Sequence, residues 1–103
     1  MTTIETTRAK FNPGQIVATP GALEAMRASG QSPEVFLSAH LEGYWGGELC
    51  EEDRRLNDEA LIDGSRILSA YKTLRGDRLW IITEAVGDDG RRASSCLLLP
   101  EEY

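Results

Sequence analysis

Three runs decide the fold: Ile67-Leu68-Ser69-Ala70-Tyr71-Lys72-Thr73, Leu79-Trp80-Ile81-Ile82-Thr83-Glu84-Ala85-Val86 and Ala93-Ser94-Ser95-Cys96-Leu97-Leu98-Leu99. All three are short and rich in β-branched, aromatic and aliphatic residues, the composition of strands. Arg75-Gly76-Asp77 and Asp88-Asp89-Gly90 separate them with residues suited to tight turns. Consecutive strands joined by tight turns pair most simply as an antiparallel meander. Arg75-Gly76-Asp77 also spells a cell-adhesion tripeptide, but between two strands it reads as a hairpin turn.

Before Arg66 the period is helical. Thr19-Pro20 and Ser32-Pro33 each set a capping hydroxyl ahead of a proline at the first helical position. The first helix carries Leu23, Met26 and several alanines and ends at Gly30; the second places Phe36, Leu37, His40, Leu41 and Tyr44 on one face to be buried. A third helix over 51–63 turns Leu56 and Ala60 inward, with Leu61 and Ile62 near its end, and stops at Gly64. Residues 15–19 read as a short strand, since Ile16, Val17 and Ala18 are too continuous for a half-exposed face. The expectation is an α+β domain over 13–103: an N-terminal strand, three helices and a three-stranded antiparallel meander, with the first strand joining one edge of the sheet. A flexible arm, 1–12, precedes it.

At 103 residues there is room for one core. A composition of 41% hydrophobic and 27% charged residues excludes wholesale disorder and a disulfide-dense scaffold. No apolar run approaches the roughly 18 residues of a membrane span, and the N-terminal residues show no basic-then-apolar signal pattern. A soluble, cytoplasmic protein is expected.

The net charge of −6 has one source. Bases and acids balance over 1–41 and again over 64–103, whereas the stretch between holds Glu42, Glu48, Glu51, Glu52, Asp53, Asp58, Glu59 and Asp63 against Arg54 and Arg55. Such a segment repels phosphate backbones and attracts basic protein surfaces, so direct nucleic-acid binding is not expected. The plainer reading is a solvated helix supported by i,i+4 pairs such as Glu51 with Arg55.

His40 is the sole histidine. Beside Tyr44 and Trp45 it reads either as a general base or as a packed core residue, with Ser38, Ser69 or a carboxylate of the third helix as groups that folding could bring near. Trp45, between Gly43 and Gly46, reads either as an exposed interface anchor or as a plug for the core. Cys50 and Cys96 with one histidine make no zinc spacing, and neither a phosphate-cradling glycine pattern nor another cofactor motif is present. No metal or cofactor is expected.

Three segments carry a family resemblance: residues 14–25, beginning Gly14-Gln15-Ile16-Val17-Ala18-Thr19-Pro20; His40-x-x-Gly43-x-Trp45-Gly46; and the tail through Trp80-Ile81-Ile82-Thr83-Glu84-Ala85 to Leu98-Leu99-Pro100-Glu101-Glu102-Tyr103. The chain resembles a family of short uncharacterised bacterial proteins borne on plasmids, integrative elements and phages, the "plasmid-related" proteins. It departs from them at Tyr44, where Asp is common. The resemblance implies a mobile-element setting and supplies no catalytic residue.

The leading expectation is a small non-enzymatic protein-binding module of mobile elements, an anti-restriction or anti-CRISPR inhibitor of a host defence complex. Glu48, Glu51, Glu52, Asp53, Asp58 and Glu59 would occupy a basic surface, with Tyr44 and Trp45 as anchors. The alternative is a small enzyme or toxin-like effector built around His40. A third reading is a module that forms a homodimer through an exposed sheet edge.

Overall fold

The computed structural model describes residues 9–103. Of the expected arm, 1–8 lie outside the described residues; Lys10 donates its amide to the Leu41 carbonyl, and the Phe11 ring packs edge-on against His40.

The elements are β1 (Gln15–Ala18), α1 (Pro20–Ser29), α2 (Pro33–Leu41), α3 (Glu51–Asp63), β2 (Ile67–Lys72), β3 (Arg78–Thr83), β4 (Ser94–Leu98) and a 3₁₀ turn, Pro100–Glu102. The sheet runs β1-β4-β3-β2; the last three strands are antiparallel to one another, and β1 lies parallel to β4. This is the expected α+β fold. Parallel neighbours need a long connection, and here the three helices and the first two strands of the meander supply it.

Local chemistry sets the boundaries. Thr19 Oγ1 accepts the Ala22 amide to open α1, and Gly30 closes it in the left-handed conformation. In the Arg75–Asp77 turn, Gly76 takes a φ of 93°, and the Thr73 amide donates to the Asp77 carbonyl.

Strand alternation puts Ile67, Ser69 and Tyr71 on one face of the sheet with Leu79, Ile81, Thr83, Ser95 and Leu97. Ala22, Met26 and Phe36 of α1 and α2 pack there on Leu79, Ile81 and Leu97. A second cluster of Trp45, Leu49, Ala60, Ile67 and Ala70 lies where α3 flanks β2.

Several sequence expectations change. Ile16 and Val17 are each 39% exposed, because β1 is an outer strand rather than a buried one. Tyr44 is 63% exposed: α2 ends at Leu41, and Gly43, at a φ of 88°, turns the chain before the next helical position is reached. Leu56 and Ile62 of α3 face outward, at 51% and 90% exposure, while Asn57 and Ala60 face inward. The inward side of α3 is selected by the edge of β2, where polar backbone groups need partners. The Asn57 side chain bonds both the amide and the carbonyl of Leu68, and the Trp45 carbonyl accepts the Ala70 amide. One sheet edge is thereby closed by a side chain and a turn.

Candidate functional site

The small polar residues of the strands converge on His40. Ser69 on β2, Thr83 on β3 and Ser95 on β4 all point to the helical face, and His40 reaches down from α2. Its Nδ1 lies 2.5 Å from Ser69 Oγ and its Nε2 lies 2.7 Å from Thr83 Oγ1. Thr83 Oγ1 lies 2.6 Å from Ser95 Oγ, which donates to the Pro13 carbonyl at 2.8 Å. All four side chains are fully buried.

Proton counting orders this chain. A hydroxyl donates once, so Ser95, committed to Pro13, accepts from Thr83, and Thr83 in turn accepts from His40 Nε2–H. A neutral imidazole has one N–H, so Nδ1 accepts from Ser69. The network fixes the Nε2–H tautomer and uses every polar atom of the ring. Burial, followed by the positive charge of Arg92, depresses the His40 pKa to about 3. The imidazole is neutral at physiological pH, with no free nitrogen to take a proton.

Arg92 is a second buried hub. Its guanidinium donates to the carbonyls of Ala60, Ser65 and Glu84 and lies 5.7 Å from the Phe11 ring centroid. It therefore neutralises the carbonyl end of α3 while tying that end to the β3–β4 loop. Desolvation lowers its pKa, and the carboxylate of Asp63 acts in the opposite direction.

The turn between α2 and α3 folds back onto the protein. Trp45 is only 3% exposed, and its indole N–H donates to Asp58 Oδ1 at 3.0 Å. Arg54 holds the same turn through the carbonyls of Gly46 and Leu49. Trp45 is therefore the core plug rather than the exposed anchor: Gly46, at a φ of 95°, brings the turn against Ala70, and the indole follows it inward.

The acidic residues remain outside. Glu48, Glu51, Glu52, Asp58 and Glu59 are exposed and Asp53 is half-buried. Glu48 lies 3.6 Å from Arg78 and Glu59 lies 3.9 Å from Arg55, whereas Glu51, Glu52 and Asp53 have no ion-pair partner among the described residues. Those three occupy the first turn of α3, where the helix dipole favours negative charge. Between the carboxylates stand Leu56 and Ile62, which with Glu59 form an outward i, i+3, i+6 ridge.

The structure thus groups the expected carboxylates on and beside α3, leaves Tyr44 on the neighbouring turn, and withdraws Trp45 and His40 into the interior. Of the groups expected near His40, Ser69 does meet it. A cleft of about 840 Å³ is lined by Asn12, Gly14, Asp89, Arg91 and Arg92 among others, and His40 is not part of its wall. Cys50 and Cys96 are both free thiols; burial and the carboxylates of Glu102 and Glu84 raise the pKa of Cys96. No group of metal-ligating side chains is found among the described residues, and no described helix is long and apolar enough to cross a membrane.

Sequence reasoning missed Arg92, Asn57 and the outward Leu56 and Ile62. The hydroxyl row had a visible signal: a small polar residue inside each of three apolar strands, opposite a lone histidine on an apolar helix face. No protein-family model matches the chain, and neither a curated protein nor a solved structure matches it.

Proposed function

We propose that this chain is a non-enzymatic protein-binding module whose outer α3 surface docks on a basic protein surface. The observation that carries the reading is the exposure of Leu56 and Ile62 among the carboxylates of Glu51, Glu52 and Glu59. Carboxylates alone suit a solvated helix, but the two apolar side chains gain about 1–2 kcal/mol each when a partner covers them. Charge would steer the approach and apolar contact would hold the complex. With the resemblance to proteins of mobile elements, the partner class is a basic, nucleic-acid-binding complex of host defence, and the chain acts as its inhibitor.

The enzyme alternative rests on Ser69 Oγ being 2.5 Å from His40 Nδ1. Against it, both groups are fully buried and the other ring nitrogen is committed to Thr83.

The test is capture from a bacterial lysate at low salt with the native chain, a Glu51→Gln, Glu52→Gln, Glu59→Gln variant and a Leu56→Ser, Ile62→Ser variant. Affinity is then measured on the purified captured protein. A basic protein bound by the native chain and at least tenfold more weakly by either variant supports the proposal. Equal affinity for all three chains overturns it.

A further inference from the structure

The two edges of the sheet are treated differently. The β2 edge is closed by Asn57 and the Trp45 carbonyl, whereas among the described residues nothing pairs with the outer edge of β1. Gln15 and Thr19 donate their amides inward to the Ala93 and Leu97 carbonyls of the neighbouring chain segment. Backbone groups alternate sides along a strand, so the N–H and C=O of Ile16 and Ala18 point outward. No charge, proline or bulge guards this edge: Gln15, Ile16, Val17 and Ala18 are all uncharged, and Ile16 and Val17 are half-exposed on opposite faces.

From this edge we infer that two copies of the chain pair antiparallel through β1, with the two-fold axis beside Val17. In that register Ile16 of each copy faces Ala18 of the other. Both of these residues carry outward backbone groups, so the pair forms four hydrogen bonds. Val17 then meets its own counterpart as the central non-hydrogen-bonded pair, the arrangement in which side chains approach most closely. A centre one residue away would set one inward-facing backbone against one outward-facing backbone and lose the ladder. The contact is self-complementary, as a closed dimer requires.

Self-complementarity of this register selects a second copy as the occupant, and the charge distribution does not oppose one. The whole net charge of −6 arises from the segment containing α3, and α3 packs on β2, at the far side of the sheet from β1. Pairing through β1 makes an eight-stranded sheet whose two β2 edges stand roughly 34 Å apart at about 4.8 Å per strand. That distance is several times the Debye length of about 8 Å at physiological salt, so the acidic helices do not oppose the association. The same geometry leaves both α3 surfaces free.

Sedimentation velocity over a wide concentration range tests the inference, using the native chain, Val17→Lys, Val17→Glu and an equimolar mixture of the two variants. The native chain is expected to dimerise. Each variant alone should dissociate at least tenfold more readily, because like charges meet at the axis, and the mixture should regain the dimer as Lys meets Glu. Regained dimer also shows that both variants are folded. A native chain that stays monomeric at every concentration overturns the inference, as does a dimer that either variant leaves intact or a mixture that fails to recover.

Discussion

Asn57 bonds Leu68 twice: its Nδ2 donates to the Leu68 carbonyl at 2.6 Å, and its Oδ1 accepts the Leu68 amide at 3.1 Å. A side-chain amide thus acts as a one-residue strand on the edge of β2. This pairing sets the rotation of α3 about its axis, which is why the polar Asn57 lies inward and the apolar Leu56 beside it lies outward.

Asn57→Ala removes both partners from a part-buried backbone and should destabilise the fold by about 2 kcal/mol in urea denaturation. Asn57→Asp keeps the acceptor but sets a carboxylate against the Leu68 carbonyl, so it should be no better at neutral pH. It should recover part of the loss on acidification, when the protonated acid can donate. A variant with native stability would mean that the paired amide does not hold α3.

The His40 network predicts a specific acid sensitivity. With a folded pKa of about 3 against an ordinary value of 6.5, the unfolded chain binds a proton that the folded chain refuses between those pH values. Stability is full above pH 6.5 and falls as the pH drops toward 3, by about 1.4 kcal/mol per pH unit once below 6.5. Glu24, Asp63 and Glu102 also have lowered pKa values, but their contributions are lost only from the carboxylate range downward. Between pH 6.5 and 4.5 the slope therefore belongs to His40. Thermal melts of a folded His40→Gln variant should be flat across that window, and an unchanged slope would contradict the assignment.

Arg92 serves three carbonyls through one planar fork. Arg92→Lys retains the charge without the fork and should still cost about 2 kcal/mol or more, with Arg92→Ala costing further. Chemical denaturation of the pair would test this; a fully stable Lys variant would show that charge alone suffices.

Gly46 and Gly30 both have positive φ, at 95° and 71°, but different surroundings. A Cβ on Gly46 would collide with the Ala70 carbonyl oxygen, whereas one on Gly30 meets nothing within 4 Å. Gly30→Ala should cost about 1 kcal/mol, the strain of the left-handed backbone. Gly46→Ala should cost well over that and disturb the Trp45 fluorescence, since the turn must leave β2. Similar melting temperatures for the two variants would refute the close approach.

The fold was legible because its signals are local. Thr19-Pro20, Ser32-Pro33, Gly30 and Gly64 state where helices begin and end, and the glycines at 76 and 90 mark the hairpins. The candidate site was legible only in part. Carboxylates on α3 follow from the sequence, but which side of that helix faces water depends on Asn57 meeting a strand eleven residues away. Apolar count alone therefore pointed Leu56 inward. Trp45 and the adjacent turn depend likewise on Gly46 touching Ala70, and Ile16 and Val17 on the place of β1 in the strand order, both nonlocal facts.

The most direct test of the α3 account is the salt dependence of binding to the purified basic partner, measured by titration calorimetry at about 50 and 300 mM salt with the native chain and the Leu56→Ser, Ile62→Ser variant. The account predicts that the native chain loses at least tenfold in affinity across that range, and that the variant is weaker at both concentrations while keeping the same salt slope. Salt-independent binding, or a variant as tight as the native chain, would contradict it.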